Sequence, residues 1–194
     1  MKVILASNNP NKLREMRQIL EPLGWTILLQ KDVGISVDPD ENGATFEENS
    51  FIKAQAVMLA SGLSAIADDS GVEVDALGGA PGVHSARYGG DSCKTDEDRN
   101  QLLVKNMERV PDGQRGARFV SVITLVNPDG TVVSARGELP GEILRQEQGD
   151  GGFGYDPLFY IPSEGCTMAE LTPERKNEIS HRAVALQNFV EKLR

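Results

Sequence analysis

Along the chain, apolar residues change their spacing in a regular order. "KVILA", from Lys2, is apolar nearly throughout, the pattern of a strand buried on both faces. After "SNNPNK", Leu13, Met16, Ile19, Leu20 and Leu23 recur at helical spacing. Asn9 as N-cap and Pro10 at the first helical position open that helix, and Gly24 closes it. "TILLQ" then completes a β-α-β unit, which points to an α/β protein. Thr45 and Glu48 have capping-box spacing and predict a second helix to about Ser61, ended by Gly62. "AIADD" reads as the next strand and the alternating "VEVDAL" as a further, partly exposed one.

Regular spacing lapses in "GGAPGVHSARYGG", which has five glycines and a proline in thirteen positions and predicts a long loop with a task. Thr95 and Asp98 announce a third helix through about Met107. "ARFVSVITLV", the turn "NPDG" and "TVVSARGEL" form the clearest hairpin. A second glycine-rich stretch, "GDGGFGYDPLFYIP", precedes a short helix from Thr172 and Pro173. A terminal helix capped near Ser180 follows, with Leu186, Phe189, Val190 and Leu193 as its apolar face. Parallel β-α-β units plus a long hairpin predict a mixed sheet. No repeat, linker or clean boundary interrupts the 194 residues, so residues 1–194 read as a single domain.

Composition narrows the function classes. With 29 acidic and 20 basic residues the formal charge is −9, which disfavours broad contact with nucleic acid but not a small anion in a pocket with its own lysines. The apolar runs are too short to span a bilayer, and Met1 and Lys2 lead straight into a strand without a leader pattern; a cytoplasmic protein is the expectation. Cys93 and Cys166 make no disulfide framework, and with only two histidines they make no zinc signature.

One stretch raises a physical question. In "ADDSG", Asp68 and Asp69 set two like charges side by side behind an apolar run. A divalent cation would resolve the repulsion; so would a turn at Ser70–Gly71 capped by one or both acids. Because neighbouring strand residues point to opposite faces, at most one aspartate enters a given cluster unless the strand has ended. Glu41, Glu48 and Lys53 supply further charges nearby in the chain.

Four other stretches carry candidate chemistry, each with a plainer alternative. "SNNPNK" places Ser7, Asn9 and Lys12 where a strand meets a helix N-terminus, a phosphate-binding position, or else a capped helix with a solvated lysine. Arg87, in "HSAR", is a bidentate phosphate clamp or a surface arginine. Phe153, Tyr155 and Asp156 in "GGFGYDP" are the floor and edge of a planar-ligand pocket, or core aromatics beside a turn cap. Lys176, His181 and Arg182 in "RKNEISHR" add cations and donors near two helix starts, or simply coat a wet helix surface. A serine-histidine-aspartate hydrolase is set aside, since "ADDSG" is not the G-x-S-x-G elbow.

Together, five separate stretches in a fixed order resemble the Ham1/RdgB family of inosine/xanthosine triphosphate pyrophosphatases over nearly the whole chain. They are "SNNPNK", "TFEENSFIKA", "IADDSGVEVDALGGAPGVHSARY", "GGFGYDPLF" and "ELTPERKNEISHR". Ser7 stands where threonine is commoner and Ser50 where alanine is usual. The resemblance implies a mixed, twisted sheet with flanking helices and two lobes around a central substrate cleft. It implies hydrolysis of ITP, dITP and XTP to the monophosphate and pyrophosphate, with Mg²⁺ as cofactor and a homodimeric assembly. By carry-over, Asp69 is the general base and, with Glu41, a metal-site acid. Ser7, Asn8, Asn9, Pro10, Asn11, Lys12, Lys53 and Ser70 fall to the triphosphate, with Arg87 a further phosphate candidate. Phe153, Gly154, Tyr155, Asp156, Lys176, His181 and Arg182 fall to the purine and sugar. A pyrophosphatase for other modified nucleotides, or a non-catalytic nucleotide-binding module, are the competing classes. No nucleic-acid or membrane partner is expected.

Overall fold

The computed structural model describes residues 1–193. Among them are seven strands: β1 (Lys2–Leu5), β2 (Thr26–Leu29), β3 (Ala65–Val74), β4 (Gly116–Val126), β5 (Val132–Ile143), β6 (Phe159–Ile161) and β7 (Cys166–Thr167). They form one sheet in the order β2-β1-β3-β4-β5-β6-β7. It is mixed: β1 runs parallel to β2 and β3, whereas β6 runs antiparallel to β5 and β7. The α-helices are α1 (Pro10–Leu20), α2 (Phe46–Ser61), α3 (Asp96–Asn106), α4 (Pro173–Ile179) and α5 (His181–Lys192). No described helix is long and apolar enough to cross a membrane. The chain divides into two compact units: Met1–Ser70, Ser121–Gly137 and Asn177–Arg194 form one, Gly71–Val120 and Glu138–Lys176 the other.

In the first unit, the apolar run at the N-terminus is explained by a strand with two dry faces. Val3 and Leu5 join Met16 and Leu20 of α1 and Leu186 and Phe189 of α5 in one core cluster. Ile4 and Ala6 join Ala54 and Val57 of α2 in another. Burying each large side chain of this kind contributes about 1.5–3 kcal/mol, so both helical layers are tied to β1. Three helix ends follow their capping residues, but α1 stops at Leu20 rather than at Gly24, which instead ends a short 3₁₀ turn at Glu21–Leu23 that Pro22 helps to break from the helix. Asn9 accepts hydrogen bonds from the N–H groups of Asn11 and Lys12, and Thr45 accepts from that of Glu48. Gly62 ends α2 in the left-handed conformation that favours glycine.

The strand signals "AIADD" and "VEVDAL" turn out to belong to one element. β3 runs without a break through Asp68, Asp69, Ser70 and Gly71, so no turn is capped there. Gly71 is required by proximity rather than by turning: a Cβ on it would lie 2.5 Å from Gly82 O and would collide with the Ser85 hydroxyl. That hydroxyl accepts a hydrogen bond from the Val72 N–H at 2.9 Å and donates to Gly82 O at 2.6 Å. The long glycine-rich loop is correspondingly not featureless, and forms short 3₁₀ turns at Gly82–Arg87 and Gly90–Ser92.

In the second unit, α3 opens on the expected capping box between Thr95 and Asp98. Arg115, buried, donates to the carbonyls of Met107, Val110, Ile143 and Leu144 and so ties the end of α3 to the end of β5. Phe119 and Phe159 stack with ring centroids 4.1 Å apart. Strands β6 and β7 had no sequence signal, being too short for alternation to register.

Gly137 of β5 sets the approach of α5. A Cβ there would fall on the backbone of His181 and Ala185, 2.7 Å from Ala185 Cα. Gly137→Ala is expected to lower the unfolding free energy by about 1–3 kcal/mol through this overpacking, read as a lower urea midpoint at unchanged m-value.

Candidate active site

Alternation along β3 sends its two aspartates to different partners. Asp68 is fully buried. Its Oδ2 meets Lys12 Nζ at 2.8 Å, Ser70 Oγ at 2.7 Å and Arg182 Nη2 at 3.1 Å, while Oδ1 accepts from Ser121 Oγ at 2.5 Å. Arg182 also pairs with buried Glu15 through Nη1 and donates to Ser70 Oγ at 3.0 Å. Burial alone would raise the Asp68 carboxyl; Arg182 and Lys12 outweigh it and hold the group well below the usual carboxylate range.

Asp69 has a different environment. Its Oδ1 meets Lys53 Nζ at 2.6 Å, and the same ammonium lies 3.3 Å from Glu41 Oε2 and donates to Asp68 O at 3.0 Å. Its Oδ2 is buried with no hydrogen-bond partner in the protein. Burial raises the Asp69 carboxyl, Lys53 offsets only part of that, and Glu41 adds repulsion, so Asp69 titrates above its ordinary value. Two neighbouring carboxyls are thus pushed in opposite directions by their surroundings.

The charge count separates the two clusters further. Asp68 and Glu15 are matched by Lys12 and Arg182, whereas Lys53 is shared between Asp69 and Glu41. Within that triad Asp69 keeps a buried carboxylate oxygen with no hydrogen-bond partner in the protein. Among the described residues no group of three or more His, Cys, Asp or Glu is placed to hold a metal ion. One or two carboxylates, completed by water and substrate phosphates, are a common set of Mg²⁺ ligands, and Asp69 and Glu41 are carboxylates of that kind.

At the β1–α1 junction the plainer alternative is partly met. Ser7 Oγ accepts from the Asn9 N–H at 3.1 Å, and Asn9 Oδ1 accepts from Asn11 and Lys12. The side chain of Lys12 is drawn inward to Asp68 rather than solvated, which explains a cation in the first turn of a helix. Asn8 is exposed in the same segment, and so is Pro10.

The other candidates group in the second unit. Tyr155 is buried and its hydroxyl donates to Ser85 O at 2.7 Å, so this ring is a core aromatic; burial pushes its phenol up. Phe153 is half-buried, with Lys176 Nζ 4.8 Å from its ring centroid. Asp156 Oδ2 accepts from the Phe153 N–H at 3.0 Å and from Lys176 Nζ at 2.8 Å, so it caps the turn and fixes the lysine together. Gly154 lies between them, and Arg87 is exposed at the end of its 3₁₀ turn.

His181 and Arg182 belong to the first unit and are buried, so the wet-surface reading of "SHR" is excluded there. Glu15 and Ser121 were not singled out from sequence. Their signals exist: Glu15 lies four residues before Ile19 on the flank of an apolar stripe, and Ser121 interrupts an apolar strand.

The chain is thus a mixed α/β protein whose third strand carries one carboxylate locked by two cations and one that keeps a buried oxygen without a hydrogen-bond partner. The Ham1 family model matches residues 3–192, and the chain belongs to that family. It is 51% identical over 191 residues to a dITP/XTP pyrophosphatase of Thermus thermophilus, covering 98% of this chain and 91% of the relative. To the Escherichia coli protein of the same name it is 47% identical over 195 residues, covering 100% and 98%. Among solved structures it is similar to a HAM1 protein from Coxiella burnetii, with TM-score 0.90 and 42% identity over 100% of this chain and 98% of that one. The Staphylococcus aureus Ham1 protein gives TM-score 0.88 at 38% identity, covering 100% of both.

Removing one member of a buried charge network strands the others. Arg182→Leu is expected to cost about 3–5 kcal/mol of stability because Asp68 and Glu15 lose their shared cation, with Glu15→Gln costing less. Urea denaturation of the two variants beside the parent checks the order.

Proposed function

We propose that this chain hydrolyses non-canonical purine nucleoside triphosphates, dITP, ITP and XTP, to the monophosphate and pyrophosphate. The observation that carries the reading is the Asp69 carboxylate: buried, raised in proton affinity, and holding one oxygen unused. Such a group accepts a proton from water at neutral pH better than an ordinary aspartate does. Asp69 would orient a water for in-line attack on the α-phosphorus and take its proton, with no covalent enzyme intermediate. Lys53, held by Glu41, Asp69 and the Asp68 carbonyl, keeps the base in position.

Substrate contacts follow the family pattern. The segment Ser7–Lys12, with Lys53, Ser70 and Arg87, is assigned to the triphosphate. Phe153, Gly154, Tyr155, Asp156, Lys176 and His181 are assigned to base and sugar. Within that set Phe153 offers the ring face and Tyr155 supports it from the core. Arg182 acts by fixing Asp68 and Ser70 rather than by meeting the base directly. Glu41 and Asp69 would hold Mg²⁺, which when bound neutralises phosphate charge and stabilises the pyrophosphate leaving group. A homodimer in the cytoplasm, removing deaminated purines from the triphosphate pool, completes the reading. Its support is the family membership and the Thermus and E. coli relatives named for this activity.

Two measurements test it. Asp69→Asn is expected to retain the thermal transition and lose about 10²–10⁴-fold in kcat on dITP, the worth of a positioned base. Near-parental turnover in the folded variant would end the assignment. Products from a panel of dITP, XTP, dGTP, dATP and dUTP should show pyrophosphate, not orthophosphate, with the first two favoured, and EDTA should abolish the release.

A further inference from the structure

Gly154 is gripped at both ends of its residue by α3. Its N–H donates to Asp96 Oδ2 at 2.9 Å, and its carbonyl accepts from Asn100 Nδ2 at 3.1 Å. Asp96 and Asn100 stand four residues apart, so they occupy one face of the helix in successive turns. Asn100 is 3% exposed, and its amide donates also to Glu147 Oε1 at 2.5 Å. Two acceptors fix which side-chain atom is the donor. Asp96 is more exposed, and burial would raise it, but Arg99 and the Gly154 N–H lower it, so it is ionised and a strong acceptor.

The grip falls in the middle of the loop that carries Phe153 and Asp156. Gly154 has φ +61°, a left-handed conformation that the loop must hold while Phe153 and Asp156 close their own turn. Both polar groups of the Gly154 backbone are thereby secured from outside the loop, by side chains of α3. A half-buried ring can select a base only if its backbone does not drift, because small displacements of a binding group cost much of its worth.

We propose that Asn100 and Asp96 are positioning residues for purine selection, clamping Gly154 so that Phe153 and Asp156 present a fixed edge to the base. This rests on the reading that the Phe153–Asp156 loop holds the purine. Neither residue touches substrate in this scheme. Losing the clamp therefore weakens recognition while leaving the phosphate chemistry of Asp69 and Lys53 intact.

The test is steady-state kinetics on dITP and dGTP with Asn100→Ala, Asp96→Ala, Asp96→Asn, Glu97→Ala and Phe153→Ala, each checked for a cooperative melt. Asn100→Ala and Asp96→Ala should raise KM for dITP about fivefold, the net worth of one hydrogen bond, with kcat within about twofold and a smaller dITP-over-dGTP preference. Asp96→Asn keeps an acceptor and should restore most of the KM. Glu97→Ala removes an acid from the same first turn that meets Gln101, not the loop, and should behave as the parent. A fall in kcat at unchanged KM would mean that only the active fraction has dropped, and would overturn the proposal. So would equal effects of Asp96→Ala and Glu97→Ala. If Phe153→Ala shifts KM and the α3 variants do not, the clamp fails alone; if Phe153→Ala leaves KM unchanged, the base-binding reading fails and takes the clamp with it.

Discussion

The pairing of Asp68 with Arg182 and Lys12 is the constraint on which the rest of the first unit depends. A buried carboxylate costs several kcal/mol unless its charge is met and its oxygens are satisfied. Here the 0% exposed group receives two cations and two hydroxyls. To supply them, α1 must present Lys12 inward, α5 must present Arg182 from its first turn, and β4 must carry Ser121 amid apolar neighbours. A buried ionic network of this kind adds little stability over a well-packed apolar core, but losing one member leaves the others buried and uncompensated.

The same network sets Asp69 apart from its neighbour. Strand alternation separates the two carboxylates: Lys12 and Arg182 pair directly with Asp68, and Lys12 lowers Asp69 only through space. Lys53 is then left to divide itself between Asp69 and Glu41. Burial raises Asp69, Lys53 and Lys12 offset part of that, and Glu41 adds a smaller repulsion. The repulsion between adjacent acids posed by "ADDSG" is therefore met by protein cations at both positions, Lys12 and Arg182 at the first aspartate and Lys53 at the second.

Sequence reading reached the helices because their ends are chemically marked. Asn9–Pro10, Thr45 with Glu48, Gly62, Thr95 with Asp98 and Ser180 all cap where the pattern places them. It misread β3 as two strands because glycine after serine has the composition of a turn, whereas Gly71 answers to Ser85 and Gly82. Those are tertiary contacts with residues well downstream, and local pattern contains no trace of them. The acids and lysines of the site were visible as residue types. Which acid meets Lys12 and Arg182 and which meets Lys53 was not, since the answer lies in partners from α1, α2 and α5. Glu15 shows the limit well: a glutamate beside an apolar stripe is ordinary until Arg182, 167 residues later, lies against it.

Gly154 and Gly71 extend the argument from charge to backbone. Gly71 lies next to Ser70 and Gly154 is itself assigned to the site, and both are held by side chains outside it: Ser85 for the stretch after Gly71, Asp96 and Asn100 for Gly154. A glycine admits a close approach or a left-handed turn, but it leaves the peptide loose, since no side chain of its own can anchor it. Precision at such a point must come from a neighbour with a spare donor or acceptor. Polar residues buried on otherwise structural elements, such as Asn100 on α3, are therefore where the geometry of a glycine-rich site is stored. Their effect reaches the ligand through the backbone they hold, so substitution there alters recognition before it alters the fold.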